Sequence, residues 1–304
     1  MKKTIILTSG LLTLVAILYV ALSFYITSLA FQAKRNMPEE TPLDYSLKFE
    51  NVTFKSEDSE DILLEGWWIP SKKNKGTIIW VHGLDSERSG GEGKLEMLMD
   101  INNLGFSILT FDLRGHGNSS TAPLGLGVKE KNDVYGAINF LKEEKGINRV
   151  GLWGISYGGV TVIDSAINNP SNTIVGVIAD TPYYSVLELL TKEVSDRTPI
   201  PKFIAELLKF GIVKSGEFMY GMNINEVSDS MDKNYQLKFP LMIFSCITDQ
   251  RVPPNHPDRI FSKSNRAAKY YKFEFCEDHG EAYEGNKIEY MKLFNTYFSE
   301  RFAE

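Results

Sequence analysis

From Thr4 to Ala33 the chain runs for 30 positions without a charged side chain, dominated by Leu, Ile, Val and Ala. A helix rises ~1.5 Å per residue, so ~20 such residues cross a hydrocarbon core of ~30 Å. The segment is apolar on all faces and has no polar side to turn to water, which sets it apart from a surface helix of a soluble domain. Lys2 and Lys3 precede it and Lys34 and Arg35 follow it, so the flanking charge sets no clear orientation. Two readings follow for residues 1–35: a retained membrane anchor, or a signal segment cleaved after the small residues of Ser28-Leu29-Ala30. The run exceeds the ~7–15 residues of a signal peptide's apolar region, which favours the anchor. Either route puts the C-terminal part outside the cytoplasm, as a single-pass protein of the cell membrane or, after cleavage, a secreted one.

The rest is of ordinary globular composition. With 304 residues, 43% hydrophobic and 24% charged, the chain can bury a sizeable core and is not disordered. A net charge of −6 offers no basic surface for nucleic acid. The first 35 residues hold four Lys/Arg and no acid, so the remainder carries −10. Anionic headgroups repel such a domain, leaving the apolar segment to hold it at a membrane. Two cysteines, Cys246 and Cys276, cannot build a disulfide framework or a cysteine zinc site. They fall on strands expected to be neighbours, with Cα atoms within ~7 Å, and are read as free buried thiols.

Residues 36–60 are polar and acidic and read as a linker leading into the first strand region. Residues 61–304 then alternate short apolar strands with helical patterns. Strands are expected at Ile62–Ile69, Thr77–Val81, Ser107–Phe111, Val150–Trp153, Ile174–Ala179, Leu241–Ile247 and Tyr270–Phe275. Helical spacing marks Asn132–Lys145, Val160–Ala166 and Ile288–Phe298. This alternation predicts an α/β fold with a mainly parallel, doubly wound sheet covered on both faces. About 60 residues separate Asp180 from Leu241, far more than a simple crossover needs. The excess, about 183–238, reads as a small helical cap with Tyr183, Tyr184, Phe218 and Tyr220 exposed.

Chemistry concentrates in Gly154-Ile-Ser156-Tyr-Gly158-Gly159, between a buried strand and a helix. Glycines at these positions let a serine occupy a tight, strained strand-to-helix turn with its hydroxyl raised out of the sheet. A serine nucleophile needs a base, and the base an orienting acid. Of four histidines, His279 follows the last strand, at the sheet edge where Ser156 also lies. His82 and His116 sit in glycine-flanked turns suited to structural hydrogen bonds, and His256 in a proline-rich loop expected to face solvent. Asp249, after the strand ending at Ile247, is the preferred acid, with Asp180 the alternative. Asp258 is a weaker candidate, and Asp278 adjoins His279 too closely in sequence to orient it. The backbone N–H groups of Tyr157 and Leu84 are the expected oxyanion donors, Gly83 allowing the sharp turn before Leu84. No metal or organic cofactor is expected.

These residues resemble the α/β-hydrolase superfamily from about residue 50 to the C-terminus. The likeness rests on His82-Gly83, the segment Asp112-Leu-Arg-Gly-His-Gly-Asn-Ser119, the Ser156 turn, and the order Ser156, Asp249, His279. It is nearest to membrane-anchored bacterial hydrolases and the Bem46-type branch, which are similar in Asp112–Ser119 and in Asp180-Thr-Pro-Tyr183. The resemblance implies that Asp112–Ser119 is a structural turn. Ser-Tyr-Gly-Gly also resembles prolyl-oligopeptidase-type peptidases, although about 50 upstream residues are too few for a β-propeller. The His-Gly-Gly-Gly run of one lipase branch is missing. The expected activity is serine hydrolysis of a small or lipid-like carboxylic ester. A peptidase or amidase with the same triad is the first alternative, and a non-catalytic, membrane-tethered binding module the second.

Overall fold

The computed structural model describes residues 2–91, 93–169, 173–233 and 239–304. Its helices are α1 (Lys2–Ala30), α2 (Lys94–Leu104), α3 (Lys131–Lys145), α4 (Tyr157–Ile167), α5 (Val186–Arg197), α6 (Lys202–Tyr220), α7 (Glu226–Lys233), α8 (Asn255–Ser262) and α9 (Ala282–Ala303). Its strands are β1 (Glu50–Ser56), β2 (Ser59–Ile69), β3 (Gly76–Val81), β4 (Phe106–Phe111), β5 (Val150–Ile155), β6 (Ile174–Asp180), β7 (Leu241–Cys246) and β8 (Lys269–Phe273).

The eight strands form one sheet in the order β1-β2-β4-β3-β5-β6-β7-β8. β1 and β2 form an antiparallel hairpin and β2 meets β4 antiparallel, while the other neighbours are parallel. Helices cover both faces, so central strands such as Phe106–Phe111 and Val150–Ile155 are buried throughout and carry long apolar runs. On one face Trp80 and Trp153 pack at 5.6 Å between ring centroids, and Trp153 meets Phe294 of α9 edge-on at 5.3 Å. Each such buried aromatic contributes roughly 2–3 kcal/mol. Because β3 lies between β4 and β5, strand order reverses there. The C-terminal ends of β3 and β5 therefore flank the crevice where sheets of this kind hold their ligands.

The first strand region expected within 36–60 holds β1, whose inward Val52 and Phe54 alternate with exposed residues. Just before it, the main-chain N–H of Lys34 donates to Asp85 at 2.7 Å, and Arg35 donates to the carbonyls of Gly117 and Ser119. One expectation changes: Tyr183 and Tyr184, read as exposed, are buried.

The chain divides into two compact units. Residues 1–32 and 186–226 form one, and 33–185 with 227–304 form the hydrolase-like other. In the first, Ile6–Ala30 is long and apolar enough to cross a membrane. Its C-terminal half packs on α6 through small side chains: a β-carbon at Gly211 would overlap Ser23, and Thr27 Oγ1 donates to the Ile212 carbonyl at 3.2 Å.

In the second unit the Asp112–Ser119 segment is a buried polar knot. Asp112 accepts from the Arg88 and Asn118 main-chain N–H groups at 2.7 and 2.8 Å and pairs with the Arg88 guanidinium at 2.8 Å. Arg114 joins Asp133, Asp58 and Ser56. The Asp133 side chain is fully buried, so removing its cation strands a charge. Arg114→Ala is expected to cost about 3–5 kcal/mol. The check is the urea midpoint in detergent, and an unchanged midpoint contradicts this role.

Candidate active site

Ser156 stands between β5 and α4 with φ 55° and ψ −112°, a conformation unfavourable for a residue with a β-carbon. Its neighbours make room. A β-carbon at Gly154 would collide with the Gly158 backbone, and one at Gly158 with the carbonyls of Val81 and His82. The Ser156 N–H donates to the Asp180 carbonyl at 2.8 Å, tying the turn to the end of β6.

Three expected residues come together around this hydroxyl. His279 Nε2 lies 2.7 Å from Ser156 Oγ, and His279 Nδ1 lies 2.6 Å from Asp249 Oδ2. The second oxygen of Asp249 accepts main-chain N–H bonds from Arg251 and Val252, both at 2.9 Å. The carboxylate is thus held by its own loop with one oxygen aimed at the imidazole. If Nδ1 carries the proton to Asp249, Nε2 is left to accept from the serine. Asp278 instead takes the main-chain N–H of His279 at 2.7 Å, and Asp258 accepts from Tyr270 Oη at 2.8 Å.

The loop after β3 lies against the serine turn. Leu84 and Ser156 line one cavity of about 170 Å³, together with Trp80, Lys94, Arg251 and His279. Tyr157 opens α4, where main-chain N–H groups have no partner within the helix. His82 braces this loop: its Nδ1 donates to the Gly83 carbonyl at 2.7 Å and its Nε2 accepts from the Leu113 N–H at 3.0 Å. Burial lowers its pKa to about 4, keeping it neutral and able to accept. His116 is likewise buried, and desolvation followed by the neighbouring His82 lowers its pKa to about 3. His256 is not exposed as expected. It is buried at the start of α8, with Nδ1 accepting the Tyr184 N–H at 3.3 Å.

Sequence reading missed Trp80, Lys94 and Arg251 as cavity residues. Arg251 and Trp80 carried positional signals, two residues after Asp249 and two before His82, whereas Lys94 comes from a segment with no local motif. Lys94 reaches the site edge by donating to the Gly280 carbonyl at 2.8 Å.

The cysteines also differ from expectation, for Cys246 and Cys276 are joined in a disulfide with Cα atoms 6.0 Å apart. A bond between in-register parallel neighbours is geometrically awkward. However, β8 leaves the ladder at Phe273, which pairs with Cys246, so Cys276 lies beyond the strand and can turn back. The bond joins the segments leading into Asp249 and His279.

A mainly parallel, helix-covered sheet with a serine on this turn and a histidine and aspartate at the same edge defines an α/β hydrolase. Within that superfamily, the prolyl oligopeptidase family pattern matches residues 96–304, and the chain belongs to that family. YqkD of Bacillus subtilis is 24% identical over 240 residues, covering 77% of this chain and 74% of its own. The lysophosphatidylserine lipase ABHD12 of Mus musculus is 33% identical over 85 residues, 28% of this chain and 21% of the lipase. An esterase of Pyrococcus furiosus shares the fold with a TM-score of 0.70 at 21% identity, covering 89% of this chain and 97% of the esterase.

Asp180, the alternative acid, has a different environment. Burial raises its pKa to about 6, although Tyr290 Oη donates to it at 3.0 Å. Between pH 4 and 6 the folded chain holds a proton that the unfolded chain has lost, so this group's contribution to stability falls as pH rises through that window. Asp180→Asn cannot titrate. Its stability relative to the parent should grow between pH 4 and 7 by on the order of 2 kcal/mol, measured by urea unfolding across that range. A pH-independent difference would refute this account. For the disulfide, thiol-reactive label should enter the unfolded chain only after reduction. The Cys246→Ser, Cys276→Ser double variant should lose on the order of 3 kcal/mol.

Proposed function

We propose that the protein is a serine hydrolase that cleaves a carboxylic ester through an acyl-enzyme. The observation that carries this reading is the continuous relay Ser156 Oγ, His279 Nε2, His279 Nδ1, Asp249 Oδ2, at 2.7 and 2.6 Å. His279 takes the Ser156 proton as Oγ bonds to the ester carbonyl carbon, and the carbonyl oxygen becomes the oxyanion. The Leu84 and Tyr157 N–H groups stabilise that charge. Asp249 fixes the imidazole and stabilises its protonated form. Collapse breaks the bond to the alcohol, which leaves with the proton from His279. Water, deprotonated by His279, attacks the acyl carbon and releases the acid, and Ser156 regains its proton.

A lipid-like ester is the favoured substrate, supported by the apolar helix α1 and by local similarity to a lysophospholipid lipase. A peptide or amide substrate with the same relay is the second reading, favoured by the family itself. α1 acts as a retained single-pass anchor with the hydrolase unit outside the cytoplasm. Burial of Thr27 against α6, next to the alternative cleavage site, supports retention, and the disulfide supports an oxidising compartment.

The full chain in detergent should react with a fluorophosphonate at Ser156, and Ser156→Ala should abolish labelling and lower ester turnover at least ~10³-fold. A folded parent that resists the probe would favour a binding module. A panel of short and long acyl esters beside aminoacyl amides then separates esterase from peptidase. Faster turnover of the amides would replace the first reading with the second.

A further inference from the structure

We infer that α6 is a second membrane-contacting element, lying at the lipid surface beside α1 with its outer ridge among the acyl chains. The inference rests on the reading of α1 as a membrane anchor.

The outer face of α6 has an apolar ridge at helical spacing, interrupted by the exposed Lys214 between Phe210 and Phe218. Phe203 is 66% exposed, Leu207 70%, Phe210 70% and Phe218 81%. Residues spaced by three or four lie on one side of a helix. Three aromatic rings and a leucine bared on one helix form the kind of surface that water disfavours and an acyl-chain boundary accepts.

What covers that ridge follows from the opposite face. There α6 presents Gly211, Ser215 and Gly216, all buried, and meets α1 at residues inside its apolar span. The Gly211 N–H lies 3.0 Å from Tyr19 Oη and Thr27 Oγ1 reaches the Ile212 carbonyl, while Phe218, at the seam where the ridge meets this face, touches Phe24 edge-on at 5.8 Å. Close approach through small residues with interhelical hydrogen bonds is how helices associate inside bilayers, where burial of apolar surface gives no driving force. Tyr19, Ser23 and Phe24 belong to the segment Ile6–Ala30. A helix touching them lies along the half of that span that runs out to the membrane surface, and the lipid that surrounds α1 there continues onto the outer face of α6.

The polar groups of α6 suit an interfacial position rather than full immersion. Lys214 pairs with Glu217 at 2.6 Å, and Glu206 accepts from Thr191 Oγ1 at 2.6 Å. Lys202 and Lys209 have stems long enough to raise their ammonium groups to the phosphates. A second copy of this chain could also cover an apolar ridge, but the continuity with α1 favours lipid.

The native cysteines are paired, so a cysteine introduced elsewhere is the sole free thiol. The full chain, labelled with an environment-sensitive nitrobenzoxadiazole dye through Leu207→Cys or Phe210→Cys, is placed in phosphatidylcholine vesicles with or without brominated acyl chains. Leu14→Cys reports on α1, and Lys72→Cys is the aqueous control. Blue-shifted emission at Leu207 and Phe210, quenched by bromine to a degree comparable with Leu14, is the expected result. Quenching at Leu14 without quenching at Leu207 and Phe210 overturns the inference and leaves the anchor intact. Failure at all three overturns both. A blue shift that bromine does not quench means protein covers the ridge, which also overturns it.

Discussion

The backbone of Ser156, held at φ 55° and ψ −112°, is the constraint from which the site is built. A non-glycine residue keeps that conformation only where its surroundings over-determine it. β5 fixes one side and α4 the other, and the Asp180 carbonyl holds the Ser156 N–H. Gly154 and Gly158 admit the close backbone contacts that the bend creates. The hydroxyl is consequently presented at the C-terminal edge of the sheet, where the loops after β3, β7 and β8 bring Leu84, Asp249 and His279.

The loop after β3 is secured by buried polar groups. His82 joins it to the loop after β4 because burial keeps it neutral, one nitrogen donating and the other accepting. Asp112 and Arg114 satisfy main-chain and side-chain donors that would otherwise be stranded in the interior. Such networks are costly when one member is missing, so they favour a single loop arrangement over a set of near-equal ones.

Much of this was legible in the sequence because buried parallel strands are apolar along their whole length and glycines mark the turn at Ser156. The histidine and aspartate after the last two parallel strands could be placed by topology alone. Elements at the margins were harder. A first strand region was legible within 36–60, but not the bounds of β1, an edge strand whose pattern rests on only Val52 and Phe54 among acids. His256 lies among prolines that suggest a loop. Yet Pro254 caps α8 and Pro257 falls in its first turn, where a missing N–H costs nothing. The division of the inserted helices was not legible, since helical spacing does not say which partner a helix chooses. Gly211 and Ser23 decide that through a contact between positions far apart in the chain.

The link between Cys246 and Cys276 has a consequence for how the protein is made. The chain has two cysteines, so once oxidised within one molecule it has a single possible pairing. Maturation therefore needs an electron acceptor but no shuffling of mispaired bonds. Production in a reducing cytoplasm would yield a chain with the right sequence whose two loops, carrying Asp249 and His279, lack their covalent clasp. Restoring it would take oxidation alone.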